Sequence, residues 1–148
     1  MKHLTTQLGS AALLLALGAS PAAGRNTILD LDVESAKHAG LGHENLLATP
    51  IYMKGQKHPA VAKDFGVFSS NRRTNAANKS DESACQIAFL SALIALQGRA
   101  NAVGADAVVD VRSVTRNNNL ESATQFRCAA GALVANVALE GRMVKLGK

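Results

Sequence analysis

At 148 residues and a formal charge of +5, the chain is long enough for one domain with a buried core and too short for two of ordinary size. Aromatic residues make up 3% and Trp is absent, so the interior has to be built from Ala, Val, Leu and Ile, which disfavours recognition by stacking sugars or bases on exposed rings. The basic residues are scattered, the pattern of a solvated surface rather than of a nucleic-acid footprint.

Residues 1–24 read as a secretory leader. Lys2 and His3 give a basic start, an apolar run too short to span a bilayer follows, and small residues after Pro21 allow cleavage after Gly24 or Ala22. No cysteine stands directly after either cleavage point, so no lipid anchor is expected. The remaining 124 residues, 25–148, carry a surplus of +4 once Lys2 is lost. Export to the periplasm or the medium is the expectation, with no integral membrane segment left after cleavage.

Residues 26–49 are irregular, with Asp30, Asp32 and Glu34 leading into a short helix around Ser35 to His38 that stops at Gly40 or Gly42. Pro50 opens an extended piece at 51–53, residues 55–59 form a loop, and 65–74 read as a strand, which would gather Phe65, Phe68 and Tyr52 if Tyr52 lies alongside. Asn and Arg make 71–79 a polar turn. The clearest element is a helix over 80–102: Ser80 is the N-cap, Asp81 and Glu82 complement the positive end of the helix dipole, and Gly104 ends it. Between Ala84 and Leu96 only Gln86 and Ser91 are polar, so this helix has to be covered on more than one side. Ile87, Leu90 and Ile94 form one stripe and Phe89, Leu93 and Leu96 another. Ala84, Ala88, Ala92 and Ala95 form a small seam that permits close approach of a sheet or helix.

Beyond Gly104 the period changes to two. In 106–116 Ala107, Val109 and Val111 alternate with Asp106, Asp110 and Arg112, as in a strand with one buried face. Residues 116–119 form a turn. The alternation resumes over 124–139, with Phe126, Cys128 and Ala130 on one face, and a bulge or sharp bend at Gly131 hands the buried face to Leu133, Ala135, Val137 and Leu139. Residues 143–146 extend this strand or form another.

Cys85 and Cys128 are the only cysteines, so an oxidising compartment allows a single intramolecular disulfide. Cys85 lies in the second turn of the helix and Cys128 on the strand face that a covering helix would meet, which brings the sulfurs together. The expected architecture is α+β: an antiparallel or mixed sheet of four to five strands covered by the 80–102 helix and locked by one disulfide.

The stretch from Ser80 to Cys85 running into Ala88 to Leu93, with 104–113, Lys57-His58-Pro59, Thr74-Asn75-Ala76 and 128–132, resembles a group of small exported bacterial proteins commonly mislabelled as excinuclease ATPase subunits. The helix, the glycine and the Ala-Val-Val strand also resemble the YbjQ-type domain, a heavy-metal-binding family by name, and the C-terminal domain of the Rcs-pathway outer-membrane stress-sensor lipoprotein. That likeness spans about 35 residues and implies a compact sheet with one long helix packed on it. The sensor's lipidated cysteine and second disulfide pair have no counterpart here. ATPase chemistry needs a G-x-x-x-x-G-K-[ST] loop to cradle phosphates, and the chain has none.

Other chemistry is sparse. His38, His43 and His58 are the candidate metal ligands of a binding module, but a spacing of five between the first two does not place both on one helix face. Asp110 and Arg112, with Arg72 and Arg73, are candidates for a polar surface cluster. Lys79 adds to the local basic patch without the aromatics or groove-entering helix that nucleic-acid binding requires. No nucleophile elbow is present and the cysteines serve each other, so no catalytic residue and no cofactor are expected. The expectation is a non-enzymatic exported protein that binds or monitors an envelope partner and can self-associate through its apolar helix or an open sheet edge.

Overall fold

The computed structural model describes residues 25–147; the expected leader, residues 1–24, lies outside the described residues. Eight elements follow in order: β1 (Thr27–Asp32), α1 (Val33–Ala39), β2 (Ile51–Met53), β3 (Val61–Asn75), α2 (Asp81–Val103), β4 (Ala107–Ser113), β5 (Gln125–Ala130) and β6 (Val134–Leu146). The strands form one six-stranded sheet in the order β1-β5-β6-β4-β2, with β3 along the other side of β6. β2 and β4 are parallel and every other pair is antiparallel, so the sheet is mixed.

The α+β class holds, and the strand count is six rather than four to five. One additional strand is β1, in a stretch read as irregular because of its carboxylates. Asp30 lies opposite Arg127 of β5, and their side chains form a two-pronged ion pair at 2.8 and 2.9 Å. Asp32 caps α1, accepting the Ser35 N–H at 2.6 Å. The acids that mask the strand therefore serve as its cross-strand partner and its terminator. The count also changes at Gly131, where the chain turns back as a hairpin pairing Ala130 with Ala135. Leu133, expected inside, stands at the tip and is 71% exposed. Residues 71–74, where the expected strand and the expected polar turn overlap, belong to β3 together with Asn75, and the turn is confined to 77–79. Residues 143–146 continue β6.

α2 has the expected ends. Ser80 Oγ accepts the Ser83 N–H at 3.1 Å, and Gly104 closes the helix at φ +80°, a left-handed conformation that glycine adopts without strain. Cys85 and Phe89, one turn apart, face Cys128 and Phe126, two apart on β5. The cysteines are joined by a disulfide with Cα atoms 5.8 Å apart, and the rings stack with centroids 3.9 Å apart. The cross-link and the aromatic pair thus form one stripe between helix and sheet. Ala84, Ala88 and Ala92 are fully buried, while Ala95 is not part of that seam. α1 covers a second side of α2 at Gly40, where an added Cβ would lie 3.0 Å from Leu90 and 2.6 Å from the Ala36 carbonyl oxygen. Gln97 is 3% exposed and ties down the segment before β2: it accepts the Leu47 N–H and donates to the Leu47 and Thr49 carbonyls, all within 2.9 Å.

Two irregularities set which side chains face α2. In β4 the register to β6 shifts between Val109 and Arg112, and Asp110 is left-handed at φ +54°. The simple alternation expected for this strand therefore breaks: Val108 and Val111 join the main core, whereas Ala107 and Val109 pack with Val144, Tyr52 and Leu146 in a small second cluster. In β3 the register shifts between Asp64 and Gly66, with Gly66 at φ +98°, which puts both Phe65 and Phe68 against the main core. Tyr52 lies in the second cluster beside His58, so the expected grouping of three aromatics does not form.

β5 leaves β6 after two pairs, and the fork is filled by buried hydroxyls. Ser113 Oγ accepts the Arg127 N–H at 2.9 Å; Thr115 Oγ1 donates to the Arg127 carbonyl at 2.8 Å and accepts the Ala138 N–H at 3.1 Å. Both residues are fully buried, and these bonds satisfy main-chain groups that lost their ladder partners.

Candidate functional site

The four residues of the expected polar cluster are divided between two places. Asp110 and Arg112 line a basin of about 200 Å³ on the sheet face opposite α2, floored at Gly141 and walled by Lys54, Glu121, Glu140 and Arg142. The β4 bulge turns Asp110 toward Lys54 at 3.8 Å, and cross-strand register puts Arg112 opposite Glu140, with guanidinium and carboxylate 2.9 Å apart and Glu121 at 3.4 Å. Arg142, two residues beyond Glu140 on the same face, holds Asp64 at 2.6 Å. Hydrogen bonding to Glu140, reinforced by its charge, makes the Arg112 guanidinium even harder to deprotonate than usual. Asp64 is held below the ordinary carboxylate range mainly by the Gly66 N–H, with Arg142 adding to the effect. Each charge at the rim of the basin has a counter-charge, so this surface is electrostatically closed. Asp106 takes no part; its carboxylate accepts the Leu146 N–H at 2.8 Å.

Arg72 and Arg73 lie elsewhere, on β3. Opposite Asn136, Arg73 shares the open sheet face; Arg72, opposite Val137, is on the helix side. There Arg72 enters a groove between β3 and α2 together with Phe68, Ser70, Ala95, Leu96 and Arg99. Neither Arg72 nor Arg99 lies within ion-pairing distance of a carboxylate among the described residues, unlike Arg25, Arg112, Arg127 and Arg142. Sequence reading identified Arg72 and missed its groove partners. The available signal was the end of the apolar run of α2 at Leu96, after which Gly98 and Arg99 are exposed.

The three histidines are separate. His38 contacts Glu34 at 3.1 Å one helical turn away, His43 contacts the Gly40 carbonyl oxygen at 2.9 Å, and His58 contacts the Pro59 carbonyl oxygen at 2.8 Å. No three His, Cys, Asp or Glu side chains among the described residues are grouped to hold a metal ion. No helix among the described residues is long and apolar enough to cross a membrane. No family model matches the chain, and no curated protein or solved structure is significantly similar to it.

Proposed function

We propose that the protein is an exported, non-enzymatic binding protein of the bacterial envelope, of the small family that carries the excinuclease label in error, and that it recognises its partner through the free edge of β3. The observation that carries this reading is that β3, fifteen residues long, pairs only with β6 among the described residues, which leave its outer edge without a strand partner. A free edge is a template for an extended segment of another chain, which gains main-chain hydrogen bonds along its length. Lys63, Arg72 and Arg73 make the edge basic, while its one acid, Asp64, is held by Arg142. That balance opposes pairing with a second copy and favours an acidic segment of a different protein. The disulfide supports an oxidising compartment.

The experiment is site-specific photocrosslinking in the native envelope from Val67, which is 51% exposed on β3, with Ile28 on β1 as the control position. A crosslink to another protein at Val67, lost in Lys63→Glu/Arg73→Glu, supports the reading. Equal capture from Ile28, or capture indifferent to charge reversal, refutes it, and a crosslink between two copies assigns the edge to self-association instead.

A further inference from the structure

The groove between β3 and α2 has two properties that the fold does not account for. It holds two guanidiniums without counter-charges, and one of its lining residues carries the one buried side-chain polar atom that lacks a hydrogen-bond partner among the described residues. That atom is Ser70 Oγ, on a residue 8% exposed. Buried hydroxyls are nearly always hydrogen-bonded, and those of Ser113 at the end of β4 and Thr115 just beyond it are. On the α2 side the groove is lined by Ala95, Leu96 and Arg99, and Ala95 is the small residue among them. Its volume is about 340 Å³.

Arg99 is held in place from the apolar side. Its guanidinium lies over the Phe68 ring, 4.6 Å from the centroid, and stacking of this kind leaves the N–H edge free for an acceptor. Arg72 comes from the opposite wall. Two positive charges from different elements, one of them seated on the Phe68 ring, with Ser70 in the lining and no acid among the groove residues, suit an anion that carries two charges and presents oxygens in several directions. A planar carboxylate is satisfied by one guanidinium; a tetrahedral phosphate uses both.

We propose that this groove is a binding site for a phosphate group, held between Arg72 and Arg99 with Ser70 contributing its hydroxyl. The volume exceeds that of the phosphate itself, and Phe68, Ala95 and Leu96 offer an apolar wall to the organic part of a phosphate monoester.

The test is an NMR titration of the exported chain, disulfide intact, at low ionic strength with inorganic phosphate and with glycerol 3-phosphate, and with acetate as the carboxylate control. The expected result is saturable amide shifts confined to 68–72 and 95–99, with acetate at least tenfold weaker. Arg72→Ala and Arg99→Ala should each weaken binding tenfold or more and Ser70→Ala several-fold, while Arg73→Ala, on the other sheet face, leaves it unchanged. Glycerol phosphate binding tenfold tighter than phosphate assigns the site to an ester; equal affinity assigns it to free phosphate. Shifts that do not saturate, that spread over all surface cations, that respond equally to Arg73→Ala, or that acetate reproduces would overturn the proposal. None of these outcomes depends on whether the β3 edge binds a protein.

Discussion

Gly141 is where a single hydrogen decides the packing. An added Cβ would lie 2.6 Å from Val108, 3.2 Å from Val111 and 3.5 Å from Leu96, because the β4 bulge points both valines at the same spot on β6. Gly141→Ala should therefore destabilise the protein by about 1–3 kcal/mol, the usual cost of overfilling a packed core, measured by urea unfolding. The carboxylates give a second expectation. Hydrogen bonding from Arg127 lowers Asp30 below its ordinary value of 3.8, and the Ser35 N–H lowers Asp32 likewise. A lowered carboxylate stabilises the fold above its unfolded value, and that contribution is lost as the pH falls through the folded value. Stability from these groups should be flat at neutral pH and fall below about pH 4. Asp30→Asn should be less stable than the parent at pH 7, and the difference should vanish toward pH 2 in denaturant melts at each pH. A deficit that persists at pH 2 would mean that Asp30 acts through something other than its charge. Neither residue's role was readable beforehand: Asp30 needed the β1–β5 register, and Gly141 needed to be seen against β4.

The disulfide and α2 act as one unit. Closing a loop with a sequence separation of 43 removes unfolded-state entropy worth about 4 kcal/mol in chain-entropy terms. Cys85→Ala/Cys128→Ala, or reduction, should lower the unfolding free energy by roughly that amount in a denaturant titration. A loss below about 1 kcal/mol would show that the Phe89–Phe126 stack and the alanine seam hold helix to sheet unaided. This pairing was legible because each partner's position depends only on a local period: Cys85 and Phe89 on a helix, Cys128 and Phe126 on a strand. The β4 facing was not legible, because a bulge breaks the period, and Asp110 gives no sign in the sequence that it is left-handed. The same holds for Gln97, whose partners Leu47 and Thr49 are about fifty residues away along the chain.

Across the molecule, surface charge is largely paired on the open sheet face and unpaired in the β3–α2 groove. That division separates the candidate sites, and His38, His43 and His58 each make a separate local contact. Zinc titration followed by thermal shift should leave the melting temperature unchanged, and replacing His38, His43 and His58 together should make no difference; a rise of several degrees abolished by the triple variant would restore the metal reading. Local pattern and composition were enough for the α+β class, the caps of α2, the aliphatic core and the cysteine pair, since each follows from which residues recur at 3.6 or 2 and from there being only two sulfurs. Strand order, the two bulges, the fork held open by Ser113 and Thr115, and the placing of Arg72 and Arg99 on one groove required the folded chain. These depend on register and on close approach between segments far apart in sequence, and no short window of residues encodes either.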